Sequence, residues 1–573
     1  EIRPRDWSSD VCSSDLDEAS IHNNRGAALN ELRRHEEAIA SFDRALALQP
    51  GYVPAHGNRG IALSVLRRHD EALASYERAI ALDPGYADAH YNRGSVLLLL
   101  KRYSEAARAF GAARAARPDC PYARGYELMS RLQVCDWRDL DTAVSAVTEG
   151  VRAGRRVISP FPFLAVSSSV EDQRACAAIY AAHKYPSGPA LWRGERYRHD
   201  KIRLAYLSAD FHDHPVAYLA AELFELHDRT RFDVRAYSFG PDVAHPMRER
   251  LKRGFDSFHD VSDRSDREVA SMLRAAEIDI AIDLKGYTDD CRPGIFALRP
   301  APVQIAYLGY PGTMGAPYFD YVIADATVIP PGHEGGYSEK IIRMPYSYQA
   351  NDRTRAIAGR VPTRRETGLP DRGFVFCCFN QGFKILPTVF DIWMRLLAGV
   401  EGSVLWLFRD SSDAAENLRR EAAARGIEPR RLIFADRVPL PEHLARHQLA
   451  DLFLDTLPYN AHTTASDALW AGLPVLTCRG STFAGRVAAS LLAAVGLPEL
   501  IAGDMSQYEG IALALAREPA RLAALTSKLR ATSRSSPLFA AEAFTRDLER
   551  GLEAALIRHQ QDAPPTDIAI TRS

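Results

Sequence analysis

Residues 24–50 read NRGAALNELRRHEEAIASFDRALALQP, and the same pattern returns at 58–84 and 92–118, each copy 34 residues after the last. Four further columns agree in all three copies: Ala38, Ala72 and Ala106; Phe42, Tyr76 and Phe110; Ala45, Ala79 and Ala113; Pro50, Pro84 and Pro118. Small residues let two helices cross closely, the aromatic ring fills the gap, and proline follows the second helix. The pattern therefore predicts three stacked helix pairs.

This unit resembles the tetratricopeptide repeat and predicts a helical superhelix over residues 17–118, in which each pair buries its apolar stripe against the next. One asparagine per repeat, Asn24, Asn58 and Asn92, comes two residues before a glycine, at a position that normally faces the groove. Such a row can hold a peptide backbone through amide hydrogen bonds. The alternative is that asparagine is simply tolerated there.

Length and composition limit the remaining possibilities. A chain of 573 residues is too long for one core, so several domains are expected. Lys and Arg (71) nearly balance Asp and Glu (73), which leaves no long-range field for nucleic acid or an anionic membrane. No apolar run approaches the roughly 18 residues of a membrane span. The eight cysteines are scattered without a C-x-x-C pair, which suggests neither a zinc site nor a disulfide framework and favours the reducing cytoplasm.

Three segments lie outside the regular patterns. Residues 1–16, EIRPRDWSSDVCSSDL, fit no periodicity and precede no apolar segment, so they are interpreted as a non-native scar. In residues 119–200 the 34-residue period fails, while helical stretches such as Tyr122 to Cys135 and Glu171 to His183 continue. Ser159-Pro160-Phe161-Pro162 interrupts them, and we interpret the whole segment as a helical bridge. Residues 556–573 are predicted to be a disordered tail.

After Lys201 the sequence changes to short apolar strands separated by helices, a pattern typical of α/β lobes with parallel sheets. A first lobe, residues 201–348, and a second, residues 374–555, are joined by a polar linker at 349–373. The predicted strands are Ile202 to Leu207, Val234 to Phe239, Ile278 to Leu284, Val303 to Leu308 and Tyr321 to Ala324, then Phe374 to Phe379, Val404 to Phe408, Leu432 to Phe434, Leu452 to Asp455 and Val475 to Thr477. Two such lobes leave a cleft between them.

Ligands of open parallel sheets bind beyond the carboxyl ends of the strands. After the strand ending at Asp455, small and hydroxyl residues precede a predicted helix from Asp467 to Ala471, whose free N–H groups would attract a diphosphate. The alternative is a capping box formed by Thr464 and Asp467. Gln381 and Lys384 follow another strand of the same lobe and favour the phosphate interpretation, although a lone lysine is usually only a solvated charge.

In the first lobe, His212, Asp213 and His214 follow a predicted strand. Metal ligation is one interpretation, but no third ligand stands nearby in the sequence. A histidine that handles protons and a histidine that merely hydrogen-bonds the backbone at a strand end are the other two. The residues alone leave all three open.

Four motifs in series carry a family resemblance: DFHDHP at 210–215, FALRPAPVQ at 296–304, LGYPGT at 308–313, and HTT at 462–464 with DALWAG at 467–472. Together they resemble the O-linked N-acetylglucosamine transferase family, most of all its compact bacterial members. The resemblance implies a GT-B glycosyltransferase fold of two Rossmann-like lobes. It also implies UDP-N-acetylglucosamine as donor, a protein Ser or Thr hydroxyl as acceptor, inversion at the anomeric carbon, and neither a metal nor another cofactor.

The resemblance also assigns roles to residues. His214 matches a histidine once proposed as base, and Lys384 matches the essential lysine on the diphosphate. The nucleotide contacts that it implies are Gln381, His462, Thr463 and Thr464 for the phosphates, Asp467 for ribose, and Val438, Pro439, Leu440, His443 and Arg446 for uracil and ribose; Leu308, Gly309 and Pro311 would border the sugar. Two positions depart from animal members, since Leu440 replaces a lysine and Phe383 replaces a tyrosine.

The expected mechanism follows from charge. As the sugar leaves, negative charge grows on the diphosphate, and the Lys384 ammonium with the helix N-terminus at Thr463 and Thr464 would stabilise it in place of Mg²⁺. His214 either receives a proton late or positions the acceptor. The alternatives are a related transferase with another UDP-hexose, such as glucose onto asparagine, and a repeat scaffold with inactive lobes.

Overall fold

The computed structural model describes residues 19–571, so the predicted scar at 1–16 lies outside the described residues. The chain divides into two compact units, with the boundary between Val134 and Cys135. The first unit is entirely helical over its described residues, and the second contains two parallel sheets. The predicted fold class is confirmed.

The helices of the first unit are α1 (Ala19–Glu31), α2 (His35–Leu48), α3 (Val53–Val65), α4 (His69–Leu82), α5 (Ala87–Leu99), α6 (Tyr103–Ala116) and α7 (Ala123–Gln133). The first six form the three predicted pairs, and each pair packs on the next. Helix α7 packs on α6 and so extends the stack. The predicted bridge is therefore not one segment, because its first helix belongs to the repeat unit.

The repeated columns form the interior of this stack. A Cβ atom added to the repeated glycine would collide with the aromatic ring of the same repeat. The pairs are Gly26 with Phe42, Gly60 with Tyr76 and Gly94 with Phe110, at 2.5, 2.5 and 3.0 Å. The 34-residue period is thus a packing requirement: only glycine lets the first helix lie directly on the ring carried by the second.

The second unit begins with the rest of the bridge, α8 (Leu140–Arg152), α9 (Pro160–Leu164) and α10 (Val170–Lys184). The helices are interrupted here as predicted, since α8 ends at Arg152 and α10 begins at Val170. Between them Pro160 starts only the short helix α9, because proline has no N–H and none is needed at the first position of a helix.

The first sheet consists of β1 (Ile202–Ser208), β2 (Phe232–Ser238), β3 (Ser257–Asp260), β4 (Ile280–Asp283), β5 (Val303–Ala306), β6 (Tyr321–Asp325), β7 (Lys340–Met344) and β14 (Ile568–Ala569), with helices α11 (Pro215–Leu226), α12 (Pro246–Gly254), α13 (Asp266–Ala275) and α14 (Pro293–Ala297). All pairings are parallel, and the strand order is β14-β7-β6-β5-β4-β1-β2-β3. The order reverses between β1 and β4, where ligand crevices of such sheets open.

The second sheet consists of β8 (Val375–Cys378), β9 (Val404–Phe408), β10 (Leu432–Ala435), β11 (Leu452–Leu454), β12 (Val475–Cys478) and β13 (Ile501–Ala502), in the order β10-β9-β8-β11-β12-β13. Its helices are α15 (Pro387–Gly399), α16 (Ser412–Ala424), α17 (Leu440–Arg446), α18 (Thr463–Trp470), α19 (Val487–Val495), α20 (Met505–Arg517), α21 (Pro519–Thr532) and α22 (Ala541–Gln560). The reversal between β8 and β11 repeats the doubly wound order of the first lobe.

All ten predicted strands are present, and four others, β3, β7, β13 and β14, were not predicted. The prediction of a disordered tail at 556–573 is wrong for its described part, residues 556–571. Helix α22 continues to Gln560 and packs against β5 and β7 of the first sheet, with Leu556 buried. Beyond it, β14 pairs with β7, and the Asp567 carboxylate accepts the N–H of Ile341 at 2.9 Å. The edge strand β7 has backbone N–H and C=O groups that pair with the tail, and the sequence pattern of the tail does not reveal this pairing.

Among residues 19–571 no helix is long and apolar enough to cross a membrane. The seven cysteines in this range are all free thiols. The cytoplasmic location stays a prediction.

The repeat packing yields a stability test. Gly60→Ala should destabilise the repeat unit by about 1–3 kcal/mol, because the new methyl group overpacks the helix crossing against Tyr76. Gly51→Ala is the matched control, since its nearest neighbour would be 4.0 Å away. Thermal unfolding followed by circular dichroism should show a lower midpoint for Gly60→Ala alone. Equal midpoints for the two variants would contradict the packing role.

Candidate functional site

Lys384 lies at the carboxyl edge of the second sheet, in a short turn that follows β8. Its ammonium group donates a hydrogen bond to the Asn460 carbonyl at 2.9 Å and lies 3.9 Å from the centre of the Tyr459 ring. Burial lowers the pKa of Lys384 to about 8, while Asp455 opposes that change. Lys384 is therefore still cationic at neutral pH.

Asp455 shapes the loop that receives this lysine. Its carboxylate accepts the N–H groups of Thr456 and Ala461 at 2.7 and 2.6 Å, and the hydroxyl of Thr477 at 2.6 Å. Burial raises the pKa of Asp455 to about 6. The loop between β11 and α18 is thus folded around one buried carboxylate, which fixes the carbonyl that Lys384 contacts.

Helix α18 begins at Thr463, as the family resemblance implied, whereas the start at Asp467 predicted from the residue pattern is four residues too late. The capping-box interpretation is also wrong. The N-cap residue is His462, and within the described part of the chain its side chain makes no hydrogen bond to the N–H groups of the helix start. The Thr464 hydroxyl donates instead to the Asn380 side chain at 2.5 Å. The first N–H groups of α18 are left for an anion, as at other helix N-termini.

His462 lies at this helix start without adding positive charge. One ring nitrogen, Nε2, is 3.1 Å from the Ala484 carbonyl, and the ring packs beside Tyr459. Burial, together with the charge of Lys384, holds the pKa of His462 well below its ordinary value. The positive potential here therefore comes from Lys384 and the helix N-terminus.

Asp467, expected at the ribose, is engaged in a buried ion pair. Its carboxylate accepts a hydrogen bond from the Arg355 guanidinium at 2.6 Å, and only 7% and 1% of the two side chains is exposed. Arg355 belongs to the predicted linker, and its carbonyl accepts the indole N–H of Trp470 at 3.0 Å. This pair ties the linker to α18. Burial raises the pKa of Asp467 to about 6, and Arg355 limits the rise.

The predicted uracil-binding residues surround the start and end of α17. The Arg446 guanidinium is buried, donates to the Asp436 carbonyl at 2.7 Å and lies 4.9 Å from the Phe379 ring. The His443 ring lies 5.3 Å from the same ring. Val438 and Leu440 are half-buried, and Pro439 between them is exposed. Gln381, which follows β8, is also exposed. Arg446 and His443 thus pack around the Phe379 ring, whereas no side-chain hydrogen bond or ring contact joins Pro439 or Gln381 to this cluster within the described residues.

His214 stands at the N-cap of α11 in the first lobe. Its Nδ1 accepts the N–H of Val216 at 3.2 Å, which is the backbone bond that one interpretation of this motif expected. A neutral imidazole that accepts at Nδ1 carries its proton on Nε2. Burial lowers the pKa of His214 to about 4. Among residues 19–571 no group of three His, Cys, Asp or Glu side chains is placed to hold a metal ion.

The residues expected at the sugar lie in the loop after β5. Leu308 is buried and has a φ of +68°, a conformation that side chains with a Cβ rarely adopt. A Cβ atom on Gly309 would lie 1.9 Å from the Leu284 carbonyl. Pro311 follows and is buried. The loops after β4 and β5 are therefore pressed together, and Gly309 is needed for that approach.

Several contacts join the two lobes around this cleft. The Ser490 hydroxyl donates to Asp325 at 2.7 Å, and Tyr348 packs edge-on against Phe483. From the bridge, the Phe161 ring packs against Phe383 and Tyr459, at 5.8 and 6.1 Å between ring centres. The bridge thus supports the aromatic ring beneath Lys384.

Sequence reasoning missed Asp455, Tyr459, Arg355 and Phe161. The signal for Asp455 was its place at the end of a buried strand, where a carboxylate is unusual. The other three act through partners distant in the chain, which no local pattern indicates.

In the repeat unit the three asparagines are not equivalent. The Asn58 side chain donates to the buried Asn23 at 3.0 Å, so part of its amide is used within the stack. Asn24 is exposed and Asn92 is half-buried. Peptide binding by this row stays a prediction.

The two lobes and the repeat unit match different families of known proteins. Residues 178–359 and 355–548 match the family model described as Glycosyl transferase family 41, and residues 17–84 and 58–124 match tetratricopeptide repeat models. A probable UDP-N-acetylglucosamine--peptide N-acetylglucosaminyltransferase (SEC) of Arabidopsis thaliana is 35% identical over 448 residues, 74% of this chain and 46% of the relative. The UDP-N-acetylglucosamine--peptide N-acetylglucosaminyltransferase of Caenorhabditis elegans is 27% identical over 558 residues, 75% of this chain and 48% of the relative.

The chain spans about half the length of these curated relatives. Among solved structures, a mutant of the Thermobaculum terrenum O-GlcNAc transferase is similar over 98% of this chain and 100% of that chain, with a TM-score of 0.69 and 26% identity.

The buried pair of Arg355 and Asp467 can be tested directly. Arg355→Met should cost about 3–5 kcal/mol, because it leaves an unpaired carboxylate in the interior. Lowering the pH towards 5 should shrink this loss, since a protonated Asp467 needs no cation. The matched double variant, Arg355→Met with Asp467→Asn, should recover part of the stability at pH 7. Thermal midpoints measure all three, and a single variant as stable as the unmodified chain would exclude a stabilising pair.

Proposed function

Since the chain belongs to glycosyltransferase family 41, we propose that it transfers N-acetylglucosamine from UDP-N-acetylglucosamine to Ser or Thr hydroxyls of proteins. The observation that carries the proposal is the Lys384 ammonium beside the N-terminus of α18. The names of the curated relatives and of the similar bacterial structure support both the donor and the protein acceptor.

In the proposed reaction, the bond from the sugar to UDP breaks as the acceptor oxygen attacks the anomeric carbon, with inversion. Negative charge then develops on the diphosphate, and Lys384 with the N–H groups of Thr463 and Thr464 stabilises it. The effect is strengthened because Lys384 is half-buried, and charges partly withdrawn from water interact more strongly than in water. The scheme includes no metal ion and no further cofactor.

His214 acts in this scheme as a hydrogen-bond donor. The Val216 N–H occupies Nδ1, and the proton on Nε2 is available to a substrate oxygen. A pKa of about 4 makes this imidazole a weak base at neutral pH. The arrangement favours positioning of a substrate over removal of the acceptor proton.

The protein acceptor is proposed to lie along the repeat groove. Asn92 presents an amide that matches the donor and acceptor groups of a peptide backbone. Asn24, whose Oδ1 accepts from Asn23 at 3.5 Å, and Asn58, which donates to Asn23, offer the remaining part of theirs. Amide contacts to a backbone do not read side chains, so such a groove would accept many sequences.

The donor and acceptor are tested by incubating the full chain with UDP-N-acetylglucosamine, UDP-glucose and UDP-galactose, each radiolabelled in the sugar, and a mixture of proteins. We expect label in protein from UDP-N-acetylglucosamine, on Ser or Thr by mass spectrometry. Label from UDP-glucose on asparagine would replace the proposal by the related transferase. If the chain shows no transfer to protein and no hydrolysis of the donor to UDP, it is an inactive scaffold.

In the same assay, Asn24→Ala with Asn92→Ala should lower protein labelling several-fold without changing hydrolysis. The control variant, Gln49→Ala, should change neither protein labelling nor hydrolysis.

Lys384 makes a second prediction, on pH. Because its pKa is about 8 in the free chain, kcat/KM should fall as the pH rises through 8 and the ammonium is lost. Lys384→Arg should move this fall to higher pH, since a guanidinium keeps its charge. Lys384→Ala should lose at least ~10²-fold in turnover while UDP binding partly survives. The exposed Lys340→Ala is the control, and wild-type turnover in Lys384→Ala would refute the assignment.

A further inference from the structure

A buried ion pair lies directly behind His214. The Lys285 ammonium donates to both carboxylate oxygens of Asp210, at 2.8 and 3.0 Å, and only 5% and 6% of the two side chains is exposed. Lys285 follows β4 and Asp210 follows β1, and these strands are neighbours in the first sheet. The backbone N–H of Lys285 is held by the Asp283 carboxylate at 2.9 Å.

Two partners compete for one nitrogen of His214. The Val216 N–H donates to Nδ1 at 3.2 Å, and the Asp210 carboxylate lies 3.4 Å from the same atom. An Nδ1 that accepts an N–H cannot carry a proton, whereas an Nδ1 that pairs with a carboxylate must carry one. The neutral imidazole that caps α11 and the imidazolium that pairs with Asp210 are therefore exclusive states.

A carboxylate alone beside Nδ1 would favour the imidazolium, because an opposite charge within about 4–6 Å stabilises the charged form of a histidine. Lys285 neutralises that carboxylate. We propose that Lys285, acting through Asp210, holds His214 in the neutral form that carries its proton on Nε2. Lys285 is in this sense a positioning residue and touches no substrate.

The other charged and titratable groups around His214 are few. His212 and Asp213 adjoin it in the loop. The charge of His212 lowers the pKa of His214, and the charge of Asp213 raises it. The Tyr218 hydroxyl on α11 donates to Asp213 at 2.8 Å, and the His245 ring at the start of α12 lies 3.8 Å from Asp213. These groups act on Asp213, which leaves the pair of Asp210 and Lys285 as the contacts behind Nδ1. Burial is the main cause of the low pKa of His214, about 4, and of the two charges behind Nδ1, Asp210 raises this pKa and Lys285 lowers it.

The consequence for catalysis rests on the proposed function. If the cleft transfers a sugar, the Nε2 proton makes His214 a fixed hydrogen-bond donor across the neutral pH range. Without Lys285, His214 would gain charge and release the cap of α11 at a less acidic pH. The lysine would thus widen the pH range over which His214 stays neutral.

The test is a titration of His214 by NMR in the full chain, labelled with [¹³Cε1,¹⁵N]histidine and free of substrate. His214→Gln identifies the resonance by its loss. We expect a midpoint near pH 4 in the unmodified chain, with Nε2 as the protonated nitrogen at pH 7. Lys285→Met should raise the midpoint measurably, while burial keeps it below the ordinary value of about 6.5, and Lys285→Arg should leave it near 4.

A second pair of variants separates the indirect effect from a direct one. With Asp210→Asn in place, adding Lys285→Met should move the midpoint much less than it does alone, because no carboxylate remains to be neutralised. Equal shifts in the two backgrounds would show that Lys285 acts directly on His214 and would overturn the proposal. An unchanged midpoint in Lys285→Met would also overturn it. If Lys285→Met alone does not fold, the double variant Asp210→Asn with Lys285→Met still provides a test. A His214 midpoint above about 6.5 in this double variant would contradict the role of Asp210, because no carboxylate remains to raise it.

The titration contains no substrate, so its result does not depend on the reaction. In the transfer assay, the acid limb of kcat/KM should move to higher pH in Lys285→Met in step with the NMR midpoint. Absence of transfer in the unmodified chain would defeat the proposed function and leave the titration intact. A titration as predicted, with an acid limb that does not move, would show that His214 is not used in the reaction.

Discussion

The second lobe depends on keeping one half-buried ammonium group charged. Lys384 loses water when it is buried, which favours its neutral form, and the protein compensates with the Asn460 carbonyl, the Tyr459 ring and the nearby Asp455. All three compensating groups belong to a single loop after β11. That loop must therefore be rigid, and the hydrogen bonds around Asp455 make it so. The same loop ends at the start of α18, which brings the second source of positive potential to the lysine.

Elements remote in the chain hold this loop in place and tie the two lobes together. The bridge supplies Phe161, which closes the aromatic cluster under the ammonium. The linker supplies Arg355, which fixes α18 through Asp467. Helix α22 leaves the second lobe and packs on β5 and β7 of the first. A cleft between two separate sheets needs such ties, because each sheet has its own core and only side contacts set the distance between them.

The two lobes treat charge in opposite ways. In the second lobe the Lys384 ammonium donates to a backbone carbonyl and not to a carboxylate, so that its field is available to an anion. The first lobe cancels its buried charges in the pair of Asp210 and Lys285 and presents a neutral His214. The second lobe therefore presents an unneutralised positive charge at its strand exits, and the first lobe presents a neutral hydrogen-bonding group.

The sequence alone determined the repeats and ten strands, because a period of 34 and runs of apolar residues are local consequences of helix and strand geometry. It also located the strand exits at which Lys384, His214 and the HTT segment stand. Its residue pattern did not locate the start of α18, whose first residues are polar and lack the apolar spacing of a helix. The partners of Asp467 and His214, Arg355 and Lys285, were decided only by the tertiary structure. Such pairs join residues far apart in the chain, and which charges meet in the interior depends on how the sheets and linker pack and not on any pattern near either residue.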